Sequence, residues 1–126
     1  MEYGCIAEHL SHSFSKEIHA KLAPYSYDLI ELAEEDVGAF LKRREFAAIN
    51  VTIPYKKAVV PYCARLSETA QLLGSVNTLL RLPGGTLYGD NTDYDGFLSL
   101  VRQSGVEVAG KKALVLGSGG ASVTVQ

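Results

Sequence analysis

Polar side chains that could bind or transform a small molecule occur in four short clusters. They are Ser13-Phe14-Ser15, residues 50–56 ending in Lys56, Asn77 within residues 75–79, and Asn91-Thr92-Asp93. Hydroxyls at a helix N-terminus can hold a carboxylate, because the first N–H groups of a helix have no partner within it. A lysine can donate a proton or stabilise negative charge on an oxygen. The residue types are therefore those of a site for a small anionic ligand.

Each cluster, taken alone, also has a structural explanation. Ser13 or Ser15 would cap the helix that follows, and Asn91-Thr92-Asp93 would cap another. Lys56 would be a solvated surface lysine. Asn77 interrupts an apolar strand and needs hydrogen bonds there, so a structural partner and a ligand explain it equally well.

A glycine-rich turn follows the last apolar run of the chain. Ala113 to Leu116 predicts a buried strand, which leads directly into Gly117-Ser118-Gly119-Gly120-Ala121-Ser122. A strand, a Gly-x-Gly turn and a helix start form the phosphate-binding turn of dinucleotide-binding folds. Ser122 stands where the strict fingerprint has Gly or Ala, and the acidic ribose ligand expected roughly 20 residues on lies beyond Gln126. We expect a nucleotide-binding unit that begins here and is not completed.

Short apolar runs alternate with segments of helical period, which is the pattern of βα units. Strands are predicted over 3–7, 25–32, 46–51, 76–82, 86–88 and 113–116. Helices are predicted over 15–22, 34–44, 67–73 and 93–103, with a short helical piece between Pro54 and Pro61. The fold class is therefore α/β, with three αβα layers and a mixed, mostly parallel sheet whose antiparallel edge is the hairpin around Gly84-Gly85. Such sheets bind ligands beyond the carboxyl ends of their strands, where the polar clusters fall.

Composition argues against several classes of function. The net charge is −2 and no run of basic residues is longer than three, so a nucleic-acid partner is not expected. No apolar run approaches the ~20 residues of a membrane span, and the N-terminus lacks the features of a signal peptide. Cys5 and Cys63 are too few for a disulfide framework and lack metal-ligand spacing. We expect a cytoplasmic protein with reduced thiols, no metal and no membrane partner, whose oligomeric state stays open.

Taken together, the clusters resemble the shikimate dehydrogenase family. The resemblance is carried by Ser13-x-Ser15, Asn50-Val51-Thr52-x-Pro54-x-Lys56, Gly74-Ser75-Val76-Asn77-Thr78, Asn91-Thr92-Asp93-x-x-Gly96-Phe97 and Gly117-x-Gly119-Gly120-Ala121. These blocks occur in the family's order and cover almost the whole chain. The chain departs from the usual pattern at Lys16, Ala20, Ser75 and Tyr94-Asp95, which leaves the preference between shikimate and quinate open.

The resemblance implies NADP-dependent reduction of 3-dehydroshikimate to shikimate, on the route to chorismate and the aromatic amino acids. It implies that Ser13 and Ser15 bind the substrate carboxylate. It further implies that Thr52, Lys56, Asn77 and Asp93 contact the ring hydroxyls and the reacting oxygen, with Lys56 and Asp93 as the catalytic pair. Gly117, Ser118, Gly119, Gly120 and Ala121 would contact the cofactor.

The resemblance also divides the chain into two parts. Residues 1–105 would be the substrate-binding catalytic domain, and residues 106–126 the first strand and glycine-rich turn of a truncated dinucleotide-binding (Rossmann) domain. The chain alone is therefore expected to bind NADP poorly and to be inactive. Two alternatives remain: a non-catalytic binding module for shikimate-like carboxylates and polyols, and a quinate/shikimate dehydrogenase that uses NAD.

Hydride delivery to a ketone leaves negative charge on its oxygen, which explains why a lysine is needed. The lysine can act as a cation or as a proton donor, and a neighbouring aspartate favours the charged lysine. Electrostatic stabilisation is thus the favoured role for Lys56, with proton donation left open.

Overall fold

The computed structural model describes all 126 residues. Its strands are β1 (Tyr3–Ala7), β2 (Tyr27–Glu31), β3 (Ala48–Val51), β4 (Arg65–Leu66), β5 (Thr78–Arg81) and β6 (Leu87–Asp90). Its helices are α1 (Ser15–Leu22), α2 (Glu34–Arg43), α3 (Glu68–Leu73), α4 (Asp93–Ser104) and α5 (Gly120–Val125), with a 3₁₀ turn at Val60–Tyr62. Strands and helices alternate along most of the chain, as the sequence predicts.

The six strands form one mixed sheet in the order β2-β1-β3-β5-β6-β4. β1 pairs in parallel with β2 and β3, and β6 pairs in parallel with β4. β5 is antiparallel to both of its neighbours, so it is the one strand that runs against the other five. The predicted mixed, mostly parallel sheet is confirmed.

Helices cover both faces of this sheet. The crossovers β1-α1-β2 and β2-α2-β3 move along the sheet in opposite directions, so right-handed connections place α1 and α2 on opposite faces. Side chains of β1 alternate accordingly. Ile6 joins the larger core with Val37 and Leu41 of α2, whereas Cys5 joins a smaller cluster with Tyr27, beside α1. The result is the expected three-layer arrangement.

Helix ends follow the local sequence. Ser67 caps α3, because its Oγ accepts a hydrogen bond from the Ala70 N–H at 3.0 Å. Gly74 and Gly105 end α3 and α4 in the left-handed conformation that glycine adopts without steric cost. α2 has three acidic residues in its first turn and two basic residues in its last, which matches the helix dipole.

Two predictions about the sheet and its loops are wrong, and one strand was not predicted. The hairpin of β5 and β6 is not the edge of the sheet, since β4 pairs beyond β6. β4 contains only two residues and is too short to carry a periodic pattern. The segment between Pro54 and Pro61 forms turns that lead into the 3₁₀ turn, without the predicted helical piece.

The run from Ala113 to Leu116 does not form the predicted strand. Leu114 and Leu116 are 84% and 87% exposed. A parallel strand exists only through hydrogen bonds to a neighbouring strand, and none of the six strands lies beside this run. The boundary at residue 105 stays a prediction. No helix of the structure has the length and apolar character needed to cross a membrane.

Candidate active site

The polar side chains predicted to bind substrate line one open cavity of about 580 Å³. They are Ser13, Ser15, Thr52, Lys56, Asn77 and Asp93. The structure thus brings together residues that are up to 80 positions apart in the sequence (93 − 13).

The sheet topology explains why these residues meet. The loops after β1 and β3 start at the carboxyl ends of adjacent parallel strands and carry the serines and Lys56. Asp93 follows β6, which runs in the same direction. Asn77 precedes β5, and because β5 is reversed, the start of this strand lies at the same edge of the sheet. One edge therefore collects all four clusters.

Lys56 and Asp93 form an ion pair inside the cavity. The Lys56 Nζ donates to the Asp93 Oδ2 at 2.6 Å, and the two side chains are 15% and 32% exposed. The backbone of Lys56 is fixed by a hydrogen bond from the Val76 N–H to its carbonyl at 2.8 Å. Lys57, the next residue, is exposed. The solvated-lysine explanation thus fits Lys57 and fails for Lys56.

Asn77 organises the other side of the aspartate. Its Nδ2 donates to the Asp93 Oδ1 at 3.1 Å and to the Thr92 Oγ1 at 2.9 Å. Its Oδ1 accepts from the Thr92 N–H at 3.0 Å and from the Thr78 hydroxyl at 3.0 Å. Asn77 therefore has structural partners and also faces the cavity, so the two explanations of this residue hold together.

Asn91 positions Asp93 from the buried side. Its side chain is 2% exposed, its Nδ2 donates to the Ser75 carbonyl at 2.9 Å, and its Oδ1 accepts from the Asp93 N–H at 3.0 Å. The predicted cap of α4 is thus supplied by Asn91, while the side chain of Thr92 makes no capping hydrogen bond. The Asp93 carboxylate is left to Lys56 and Asn77.

Ser13 and Ser15 lie where α1 begins. The Ser13 Oγ accepts a hydrogen bond from the Ser15 N–H at 3.3 Å, and the N-cap residue Phe14 supplies no side-chain cap. Both serines reach the cavity. The capping explanation applies weakly to Ser13 and not to Ser15.

Several residues of the cavity were not singled out in the sequence. The Asn50 Oδ1 accepts from the Tyr27 hydroxyl at 2.6 Å, and burial raises the pKa of Tyr27 far above its usual value. His9, His12 and His19 also line the cavity. Asn50 lies in the motif that ends at Lys56, so its position offered a signal. The histidines have no ligand-like spacing and offered none.

Comparison with known proteins shows the family to which the chain belongs. The family model described as "Shikimate dehydrogenase substrate binding domain" matches residues 5–79. The chain belongs to this family. The shikimate dehydrogenase (NADP(+)) of Clostridium beijerinckii is 39% identical over 98% of the chain, which covers 48% of that relative. The enzyme of the same name from Carboxydothermus hydrogenoformans is 40% identical over 97% of the chain, which covers 46% of its length.

Solved structures of shikimate dehydrogenases have the same fold. Shikimate dehydrogenase 1 from Peptoclostridium difficile superposes with a TM-score of 0.93 at 36% identity, and the match covers 99% of this chain and 49% of that one. The Thermus thermophilus enzyme in complex with shikimate gives 0.86 at 36% identity, over 99% and 50% of the two chains. The chain spans about half the length of the relatives it matches.

The glycine-rich turn lies next to Lys56. Ser118 to Ala121 line a second cavity of about 350 Å³, which shares Thr52 and Lys56 with the larger one. Gly117 has a φ of +124°, which favours glycine, and no atom lies within 4 Å of a Cβ built there. A Cβ on Gly120 would lie 3.2 Å from the Ser75 Oγ. The backbone at Gly117 and Gly119 is open enough to approach a phosphate group. No group of three or more His, Cys, Asp or Glu residues could hold a metal.

Proposed function

We propose that this chain is the substrate-binding and catalytic part of an NADP-dependent shikimate dehydrogenase, which interconverts 3-dehydroshikimate and shikimate. The observation that carries the proposal is the Lys56–Asp93 ion pair of 2.6 Å, set in a cavity that is also lined by Ser13, Ser15, Thr52 and Asn77. Support also comes from relatives named shikimate dehydrogenase (NADP(+)) and from a neighbour whose structure contains shikimate.

The roles of the residues follow from their positions in the cavity. Ser13 and Ser15 would bind the substrate carboxylate with their hydroxyls, at the start of α1. Thr52 and Asn77 would hydrogen-bond to ring hydroxyls. Because the Asn77 amide also binds Asp93, a substrate held by Asn77 would be placed in register with the ion pair.

Lys56 would stabilise the reacting oxygen. An ammonium group has three N–H donors, and the bond to Asp93 engages only one of them. The remaining donors can face an oxygen that becomes negatively charged when the ketone is reduced. Asp93 would keep the ammonium charged and in place, since Asn77 and Asn91 hold this carboxylate and its backbone. We therefore assign electrostatic stabilisation to Lys56.

Gly117, Ser118, Gly119, Gly120 and Ala121 would hold the pyrophosphate of NADP, whose nicotinamide supplies the hydride when it is bound. The fit rests on the open backbone of the turn and on the wall that its cavity shares with the substrate site, at Thr52 and Lys56. We accordingly propose residues 1–105 as the substrate domain and residues 106–126 as the start of a dinucleotide-binding domain. The two free cysteines suit a cytoplasmic location.

Replacement of Lys56 tests the proposal. In the full-length protein, with 3-dehydroshikimate and NADPH, Lys56→Ala should lower kcat by about 10²–10³-fold, the range for loss of one oxyanion-stabilising group. The KM for substrate should change far less, because the serines are untouched. Lys21→Ala, which removes an exposed charge on α1, is the matched control and should be nearly silent.

Two results would contradict the proposal. If the wild-type protein does not reduce 3-dehydroshikimate, the proposed activity is wrong. If Lys56→Ala changes KM and leaves kcat unaltered, Lys56 holds the substrate and does not act on the reacting oxygen.

A further inference from the structure

The substrate cavity contains no unpaired permanent positive charge. Lys56 is its only lysine, no arginine lines it, and the ammonium is bonded to Asp93 at 2.6 Å. A ligand group some distance away therefore experiences little net charge from Lys56 and Asp93 together. A carboxylate ligand is a permanent anion above about pH 5, and desolvating such a charge without a counter-charge is costly. Serine hydroxyls alone would have to balance it.

All three histidines of the chain line this same cavity. His12 immediately precedes Ser13 in the loop after β1. His19 lies four residues after Ser15 on α1, a spacing that places the two side chains on the same face of the helix. His9 belongs to the same loop as His12. His12 and His19 therefore line the same cavity as the serine pair and are close to it in the chain.

The ring of His19 is fixed by two tyrosines. It stacks on Tyr27 with centroids 3.9 Å apart and planes at 13°, and it meets Tyr25 edge-on at 5.8 Å. Its Nδ1 is hydrogen-bonded to the Tyr25 hydroxyl at 2.5 Å. This leaves Nε2 as the nitrogen available to a ligand. His12 is exposed and has no such support.

We propose that His12 and His19 complete the carboxylate end of the site by supplying the positive charge that the Lys56–Asp93 pair does not provide. The inference rests on the proposed function, because it takes the ligand to be a shikimate-like carboxylate. It adds two binding residues to the serine pair and makes the affinity depend on pH.

The other titratable groups around these imidazoles do not produce this dependence. They are Tyr3 and Cys5 of β1, Tyr25 before β2, Tyr27 in β2, and Lys56 and Asp93 across the cavity. Burial raises the pKa values of Cys5 and Tyr27, so both stay neutral below pH 8. Aspartate and lysine ordinarily titrate outside the range of pH 5 to 8, in which imidazole changes its charge. Among the side-chain types that line the cavity, imidazole is the one that ordinarily changes its charge in this range.

The sign of the effect follows from linkage. An imidazolium attracts the carboxylate, so the ligand binds more tightly to the protonated site, and affinity falls as the pH rises from about 5.5 to 8.5. One charge–charge contact at about 4 Å in water corresponds to roughly a fivefold change in Kd. We expect the Kd for shikimate to rise by about five- to twentyfold over this range, since two or three imidazoles contribute.

Calorimetric titration of the full-length protein tests this with two ligands. The Kd for shikimate should rise with pH. The Kd for the neutral carboxamide of shikimate should stay constant within about twofold. His12→Gln and His19→Gln should each remove part of the pH dependence, and the double variant should remove nearly all of it. Lys16→Gln, next to Ser15 but outside the cavity, is the control and should keep the full pH dependence.

The outcomes separate the inference from the proposed function. If shikimate binds equally well at all pH values, the inference is overturned and the function stands. The inference is also overturned if shikimate and its carboxamide weaken together. If neither ligand binds at millimolar concentration, the proposed function fails first. The comparison of the two ligands needs no variant, so it decides the matter even if His19→Gln does not fold.

Discussion

Two short apolar runs of the chain behave differently in the structure. Residues 3–7 form β1, an interior strand of the sheet, with Ile6 and Ala7 fully buried. Residues 113–116 are equally apolar and form no strand, and Leu114 and Leu116 are more than four-fifths exposed. β1 has a parallel partner on each side, whereas residues 113–116 have none. An apolar run predicts a strand, but the strand forms only where neighbouring strands can hydrogen-bond to it.

The same contrast separates the two halves of the proposed chemistry. The side chains assigned to the substrate are held by the paired sheet and by buried hydrogen bonds, such as those of Asn91. The segment that leads to the glycine-rich turn is exposed except for the half-buried Val115, and the main anchors of the turn are α5 against α4 and the buried Thr124. The residues assigned to the substrate are therefore held more firmly by the sheet than the turn assigned to the cofactor.

The largest expected effect is on core stability. Ile6→Ala should lower the free energy of unfolding by about 3–4 kcal/mol, because it leaves a cavity in the centre of the sheet. Leu114→Ala shortens a side chain in the unpaired run in a similar way. It should change the free energy of unfolding by less than about 0.5 kcal/mol. Urea denaturation measures both variants. Similar losses would show that residues 113–116 are packed in solution.

A smaller effect is expected for thiol reactivity. Burial raises the pKa of the Cys63 thiol to about 11, so little thiolate forms at pH 8. A cysteine introduced at the exposed position Ser118 should react with iodoacetamide about a hundredfold faster than Cys63 at this pH. Peptide mass spectrometry over time gives both rates.

The pH dependence of alkylation sharpens this comparison. The raised pKa means that the folded protein holds the Cys63 proton more tightly than the unfolded chain does. Its contribution to stability is therefore complete below about pH 8.5 and is lost as the pH rises toward 11. The reaction of Cys63 should accelerate over the same range. Equal rates at both cysteines at pH 8 would show that the thiol is not buried in solution.

The smallest effect concerns the glycine-rich segment as a whole. Removal of residues 107–126 should change the free energy of unfolding by less than about 1 kcal/mol, because Thr124 is the only buried residue that is lost. The Kd for shikimate should stay within about twofold of the original, since the six substrate residues remain. A large loss of stability would mean that the two regions fold as one unit.

Much of the fold follows from local sequence. The bounds of β1 and α1 are those predicted, and Ser67 and Gly74 mark the ends of α3 as expected. The remaining discrepancies are non-local. β4 exists because β6 offers it an edge, and the hairpin is internal for the same reason. Neither fact is encoded in the residues of the strand itself.

The candidate site shows the same division. The six residues assigned to the substrate lie in short sequence motifs, which can be recognised from the sequence alone. The buried bridge of Asn91 between Ser75 and Asp93 depends on how the hairpin closes, so residue type alone suggested only a helix cap. The three histidines lie at irregular positions, and only the folded chain shows that they surround one cavity.

The reversed strand β5 has a consequence for insertions and deletions. Asn77 precedes β5 and Asp93 follows β6, so both lie at the open end of this hairpin. Its register pairs Thr78 with Asp90 and Arg81 with Leu87. Residues added at the turn, around Gly84-Gly85, lengthen the hairpin at the end remote from the cavity and leave this register intact. One residue added within β5 or β6 would instead exchange the faces of the side chains beyond it. Related chains can thus vary in length at this turn while the Asn77–Asp93 contact stays the same.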